Sequence, residues 1–203
     1  FDYLLKGHLN YFDFKGKNFD RGVKYWLDEI PKSEELTNFT HTNSNSKSLN
    51  DEIKPIFIVG VPRCGSTLIE KVIASGSKKI PIGEETAVIS YCVGKRITEK
   101  KSIKSDFKNF KKEVVEKYKQ KRLLTKNSDY IFTDKSLDNF FFIGLIKAIF
   151  PNAKVINCMR NPLASIMSIL KNNLGDVAWA HNPKHIFQDF DIYYNKIVIF
   201  KKK

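Results

Sequence analysis

The chain has 203 residues, 42% of them hydrophobic and 13% aromatic, which excludes a disordered protein and is enough for a domain with a substantial core. Its formal net charge of +13 suits a protein that handles an anionic nucleotide. Lysine is abundant along the whole chain, so the charge alone does not indicate nucleic-acid binding, and we expect no nucleic-acid partner. The three cysteines are widely spaced, which argues against a zinc site and a disulfide framework. No apolar run reaches 18 residues, which argues against a membrane span.

We expect the sequence to be a fragment cut short at both ends. It does not begin with Met, and its last segment, 193–200, is apolar up to the final lysines. Residues 1–36 have apolar side chains at helical spacing and predict a short helical N-terminal segment. Residues 37–54 are polar and predict a linker, and 55–203 predict the core domain, truncated at its C-terminus.

Strands and helices alternate along the predicted core. Residues 56–61 form an unbroken apolar run rich in β-branched side chains, as in a buried parallel strand. Alternating elements of this kind predict βαβ units, so the predicted fold class is α/β, a P-loop-type parallel sheet flanked by helices. The predicted strands are 56–61, 130–133 and 153–159, and the predicted helices are about 66–74, 102–122, 138–150 and 162–170.

The segment Gly60–Thr67 lies between the first predicted strand and the first predicted helix. It keeps the spacing of the phosphate-binding P-loop, but Ser66 stands where that motif has lysine. Backbone N–H groups at a helix N-terminus still form an anion site, and Arg63 can supply a forked cation. The pattern indicates a nucleotide with an anionic 5′ end that is not a magnesium-bound triphosphate.

A second anion site is predicted where the third strand ends. Arg160 ends the strand, Asn161 can cap the next helix, and Pro162 suits its first turn. Ser165 and Ser168 are three residues apart and share a helix face. The alternative is that both hydroxyls face solvent and Arg160 makes a structural ion pair; the first loop favours a phosphate site.

Four motifs resemble those of the PAPS-dependent sulfotransferases (PAPS is 3′-phosphoadenosine 5′-phosphosulfate), closest to the tyrosylprotein sulfotransferases and the bacterial tetratricopeptide-linked enzymes. The resemblance covers about residues 55–170, and it would make 1–36 the end of a helical-repeat region. The motifs are the 5′-phosphosulfate loop at 61–68, Gly-Glu-Glu-Thr at 83–86, Asp-Lys at 134–135, and the stretch from Phe150-Pro151 to Met159-Arg160 with Ser168 eight residues on.

The resemblance implies a sulfotransferase that moves a sulfuryl group from PAPS to an acceptor hydroxyl, on a protein tyrosine or a carbohydrate, and releases 3′,5′-ADP without a metal. It assigns Glu85 as general base, with Glu84 as the alternative, and Lys135 as the cation near the bridging oxygen. It makes Arg63 both catalytic and cofactor-binding. The implied cofactor-binding residues are Arg63, Cys64, Gly65, Ser66, Thr67, Arg160 and Ser168.

The sequence departs from the tyrosylprotein pattern at two points. Ala87 follows the Gly-Glu-Glu-Thr segment where that family has arginine, and Ser136-Leu137 follow Lys135 in place of Asp-Pro. The first change puts recognition of acidic peptides in doubt. The resemblance leaves the compartment open, with cytoplasm expected for a bacterial protein and the lumen of the secretory pathway for a eukaryotic one.

Two other functions stay open. One is a divergent P-loop kinase, against which Ser66 argues because the phosphate-binding lysine is missing. The other is a non-catalytic nucleotide- or nucleic-acid-binding module, favoured slightly by 95–122, which holds twelve Lys or Arg against four Asp or Glu. His181 and His185 are four residues apart, but no third ligand is evident and Pro183 interrupts the helix, so we expect no metal site.

Overall fold

The structure, a computed structural model, describes residues 1–37, 39, 52–76, 79–125 and 130–201. Most of the predicted 37–54 linker lies outside these residues. The chain divides into two compact units, which are described separately below, and the domain boundaries predicted from the sequence stay a prediction. The first unit comprises Phe1–Ser33, Val61–Cys64 and Met159–Lys203, and the second comprises Glu34–Gly60 and Gly65–Cys158.

The second unit contains a parallel sheet, which has three strands within the described residues. Strand β1 (Ile56–Gly60) lies between β2 (Thr133–Asp134) and β3 (Lys154–Cys158), and its Ile56 is in register with residues of both neighbours. Phe57, Ile58 and Val59 are fully buried because the central strand is covered on both faces. The predicted α/β class with a parallel sheet is therefore confirmed.

Helices cover this sheet, and they follow the sequence pattern with local exceptions. The helix Ser66–Ala74 has the predicted bounds. The predicted 102–122 helix is shorter in the structure and spans Phe107–Gln120. At its start, Asp106 accepts a hydrogen bond from Arg96 and lies outside the helix. At its end, Arg122 has a φ of 58°, which a helix cannot contain. The helices of this unit are α4 (Glu34–Thr37), α5 (Ser66–Ala74), α6 (Val88–Thr98), α7 (Phe107–Gln120) and α8 (Ile143–Ile149).

Two predicted elements differ from the structure for local reasons. Strand β2 starts at Thr133, three residues later than predicted, since Tyr130 has a φ of 57° that breaks extended geometry. The backbone still pairs there, with Ile56 N donating to Phe132 O at 2.8 Å. The predicted helix 138–150 is a 3₁₀ helix over Leu137–Phe142 that continues as α8.

The first unit is helical within the described residues. Its N-terminal part packs on its C-terminal part, with Phe19, Leu27 and Trp179 buried. Gly22 lies so close to Ala178 that a Cβ atom on it would be 2.9 Å from the alanine Cβ. Its elements are α1 (Asp2–Lys15), α2 (Lys17–Lys24), a π-helical turn (Tyr25–Glu29), α3 (Ile30–Lys32), α9 (Pro162–Asn172), a 3₁₀ turn (Ala178–His181) and α10 (Pro183–Lys201).

Candidate active site

The side chains of the two predicted anion sites meet in the first unit, where the turn Val61–Cys64 lies beside helix α9. The Nε atom of Arg63 donates to Oγ of Ser168 at 3.1 Å. Nη1 of Arg160 donates to the backbone oxygen of Arg63 at 3.1 Å. Both guanidinium groups are exposed, and within the described residues neither lies in an ion pair with a carboxylate. Residues predicted to bind different phosphates therefore form one cationic cluster.

Local backbone geometry holds this cluster in place. Arg63 has a φ of 67°, a left-handed conformation that is uncommon for arginine. Asn161 caps α9 as predicted, because its Oδ1 accepts from Ala164 N at 3.2 Å. Ser165 is buried, and its hydroxyl has no partner among the described residues. Cys64 is buried at 8% exposure.

Gly65 opens the second unit's part of the loop and is the N-cap of helix α5. Its φ of 97° is accessible to glycine and strained for other residues, which explains the glycine at this point of the motif. Its carbonyl accepts from Leu68 N at 3.0 Å, so the first helical turn is formed. Ser66 is buried and Thr67 exposed. The first N–H groups of a helix have no carbonyl partner within it, and they suit an anion.

The two predicted catalytic side chains of the second unit form an ion pair. Nζ of Lys135 lies 2.9 Å from Oε1 of Glu85. The lysine side chain is only 7% exposed and the glutamate side chain is 69% exposed, so the cation is anchored and the carboxylate faces solvent. Glu84 is also exposed, but its carboxylate has no ion-pair partner within the described residues. The geometry therefore distinguishes the two acids, because Glu85 is paired with Lys135 and Glu84 is not.

The segment that carries Glu85 runs alongside the end of strand β2. Thr133 N donates to Pro81 O at 3.0 Å, and Lys135 N donates to Glu84 O at 2.7 Å. Between these bonds the two backbones are very close, since a Cβ atom on Gly83 would lie 2.0 Å from Thr133 O. Only glycine fits at that point. This close approach explains the glycine of the Gly-Glu-Glu-Thr motif, which the sequence alone does not explain.

The buried carboxylate of Asp134 accepts hydrogen bonds from both of these segments. Asp134, just before Lys135, is fully buried and accepts from Tyr118 OH at 2.6 Å and from Ser136 N at 2.9 Å. Thr86, just after Glu85, also donates its hydroxyl to this carboxylate. Burial raises the pKa of Tyr118 well above its usual value, and the nearby Asp134 charge raises it further, so the phenol keeps its proton as a donor.

The two departures from the tyrosylprotein pattern contact each other. Ala87 N donates to Oγ of Ser136 at 2.9 Å, and Ala87 has a φ of 51°. Ser136, which stands in the place of the family's aspartate, therefore supplies a hydroxyl oxygen that accepts a hydrogen bond from the backbone directly after Thr86. Ala87 is exposed, so an uncharged side chain stands where the tyrosylprotein pattern has arginine.

Asp138 is a titratable group that the sequence did not single out. It lies three residues after Lys135 in the 3₁₀ helix and is partly buried. Burial raises its pKa to about 6, the nearby charges of Asp134 and Glu85 add to this, and a hydrogen bond from Ser90 opposes it. The burial of Asp138 therefore favours its protonated form, and the Glu85 charge contributes in the same direction.

Of the two histidines considered for metal binding, His181 contacts His8 in the first unit. Nδ1 of His181 lies 3.0 Å from Nδ1 of His8, and Nε2 of His181 donates to Leu174 O at 3.1 Å. Burial lowers the pKa of His181 and of His185. In the part of the chain that the structure describes, no three His, Cys, Asp or Glu side chains are grouped to hold a metal ion. None of the described helices is both long and apolar enough to span a membrane.

The second unit combines a parallel sheet flanked by helices with a buried lysine paired to an exposed glutamate after the end of strand β2. Residues 55–199 match the sulfotransferase family, and the chain belongs to that family. The chain is also 34% identical over 183 residues to an uncharacterized protein of Aquifex aeolicus (strain VF5). That match covers 84% of this chain and 22% of the relative, so the chain spans about a fifth of that protein's length. No solved structure gives a significant match.

Proposed function

We propose that the chain transfers a sulfuryl group from PAPS to the hydroxyl of a protein tyrosine or a carbohydrate. Membership of the sulfotransferase family supports the reaction class. The choice of donor depends on one observation, the contact of Arg63 with Ser168 and of Arg160 with the Arg63 backbone. Two exposed guanidinium groups and a hydroxyl suit an anionic donor, and the resemblance assigns Arg63 to its 5′ end and Arg160 with Ser168 to its 3′-phosphate.

The proposed reaction assigns one role to each side chain of the ion pair. The acceptor oxygen attacks sulfur, the bond between sulfur and the bridging oxygen breaks, and 3′,5′-ADP leaves with that electron pair. Glu85 takes the acceptor's proton, and Lys135 stabilises the negative charge that develops on the bridging oxygen. Their 2.9 Å contact supports these roles because it keeps a proton acceptor beside an anchored cation.

The exposure of the two groups agrees with these roles. Glu85 projects into solvent at 69% side-chain exposure, where the hydroxyl of a large acceptor such as a peptide or a glycan can reach it. Lys135 is held at 7%, as expected of a group that must not move while charge develops on the leaving oxygen. The uncharged Ala87 side chain gives no reason for the acceptor to be acidic.

Thermal unfolding with two nucleotides tests the donor assignment. We expect 3′,5′-ADP to raise the unfolding temperature much more than ATP with magnesium, because only the first carries a 3′-phosphate for the arginine cluster. Equal protection by both would contradict a PAPS site. Transfer of label from ³⁵S-PAPS to tyrosine peptides and to glycans then identifies the acceptor class. Transfer of phosphate from labelled ATP would support the kinase alternative.

A further inference from the structure

A carboxyl group buried in helix α5 has no role in the proposed reaction. Glu70 lies one helical turn after Ser66 and is only 2% exposed. A glutamate is almost never fully buried unless its oxygens have partners. The sequence pattern does not reveal it, because Glu70 reads as an ordinary polar residue of an amphipathic helix.

The partners of Glu70 come from the two segments that carry the catalytic side chains. Its Oε1 accepts from Glu84 N at 3.1 Å and from Thr133 Oγ1 at 2.6 Å. The same threonine hydroxyl accepts from Gly83 N at 3.1 Å. One carboxyl oxygen and one hydroxyl therefore bind two consecutive backbone N–H groups, those of Gly83 and Glu84.

These bonds act directly beside the reacting groups. Glu84 is the residue before Glu85, and Thr133 lies two residues before Lys135. Glu84 has a φ of 53°, a left-handed conformation that non-glycine residues keep only when the surroundings hold it. Without the Glu70 oxygen, the Glu84 N–H would be left without its partner in a crowded backbone contact, and the segment would relax.

We infer that Glu70 is a positioning residue of the transferase, which holds the Glu84 backbone so that Glu85 stays in contact with Lys135. This inference rests on the proposed function. Because Glu70 lies on helix α5, whose first residues Ser66 and Thr67 belong to the predicted phosphosulfate loop, it also links these residues to the segment of the general base. A displacement of about 1 Å at a reacting group can lower the rate roughly 100-fold, so we expect the hydrogen bonds of Glu70 to affect turnover.

The test uses the full chain and three variants. Glu70→Ala removes the hydrogen-bond acceptor, and Glu70→Gln keeps an accepting oxygen on a side chain of the same shape. Glu113→Ala is the matched control: it also removes a carboxylate that joins elements of the second unit, through Lys95 and Arg96, away from Glu85. We expect Glu70→Ala to lower kcat by about 10–100-fold. We expect Glu70→Gln to keep most of the rate and Glu113→Ala to lose stability without a comparable loss of kcat.

Two further readouts separate positioning from a general loss of stability. In a Glu85→Gln background, Glu70→Ala should have little further effect on kcat, because both changes remove the same contribution. Hydrogen exchange at the amides of Gly83 and Glu84 should become faster in Glu70→Ala than in Glu113→Ala, and this measurement needs no activity.

The outcomes distinguish this inference from the proposed function. If the wild-type chain transfers no sulfuryl group to any acceptor, the proposed function fails, while hydrogen exchange still reports on the Glu70 tie. If the chain is active but the two substitutions are additive in kcat, or the two amides stay protected in Glu70→Ala, the positioning role of Glu70 is wrong.

Discussion

Arg63 and Ser168 are 105 positions apart in sequence, and the guanidinium Nε of the first donates to the hydroxyl of the second at 3.1 Å. The sequence places them in separate motifs, one at the turn after the first strand and one in the helix after the third. Their contact shows that the fold brings residues of the two motifs together. An arginine that is already oriented by a hydroxyl loses less conformational freedom when it binds an anion.

The first prediction concerns the contribution of Arg160 to nucleotide binding. We expect Arg160→Ala to weaken 3′,5′-ADP binding by about 10–100-fold, the usual effect of losing a hydrogen bond to a charged group. Isothermal titration measures the change. Lys171→Ala is the matched control, because it removes the same charge from an exposed position in the last turn of α9. Equal weakening by both substitutions would mean that only net charge matters, and the arginine cluster would not be a specific site.

The second prediction distinguishes the two neighbouring acids. We expect Glu85→Gln to lower kcat by about 10²–10⁴-fold, as for loss of a general base. Its 3′,5′-ADP affinity should stay close to wild type, because the glutamate acts on the acceptor. Glu84→Gln is the matched control, with the same chemical change one residue away and no ion pair with Lys135. Steady-state kinetics with saturating PAPS measures both variants.

One result would reverse this assignment. A Glu84→Gln enzyme that loses turnover while Glu85→Gln keeps it would make Glu84 the base and Glu85 a partner that orients Lys135. Comparison of KM with kcat then shows whether the remaining acid affects acceptor binding or the chemical step.

Sequence patterns were sufficient for the order of the elements and for the residues that follow each strand. The apolar run at 56–61 and the glycine of the loop are local signals, and strand β1 and helix α5 appear where these signals predict them. The 102–122 helix was predicted too long because its first residues form a turn instead. Ile103 N there donates to Glu35 Oε2 at 2.6 Å, a partner 68 positions away that no local pattern indicates.

The hydrogen bonds around the candidate site could not be predicted either, because they join residues that are far apart in sequence. Glu70 and Thr133 are 63 positions apart, and Lys135 and Glu85 are 50 positions apart. The family resemblance suggested Glu85 and Lys135, but it gave no reason to consider Glu70 or the network around Asp134. Buried polar contacts depend on which segments the fold brings together, and composition and periodicity do not contain that information.

The third prediction concerns the dependence of stability on pH at Asp138. Its pKa is raised to about 6, from a usual value near 3.8, mainly by burial. Between these values the folded chain holds a proton that the unfolded chain releases, so this group makes stability fall as pH rises from about 4 to 6 and has no further effect above that. Asp138→Asn removes the effect. We therefore expect the free energy of unfolding of the variant, relative to wild type, to increase over this range by as much as about 3 kcal/mol.

Asp106→Asn provides the control with the opposite sign. A hydrogen bond from Arg96 lowers the pKa of Asp106, so its contribution to stability is present at neutral pH and is lost as pH falls below about 4. Urea unfolding of both variants at pH 2.5 to 7.5 covers both transitions and compares the variants directly. If Asp138→Asn follows the wild-type pH profile, Asp138 titrates near its usual pKa, and the environment beside Lys135 and Glu85 is better hydrated than its burial indicates.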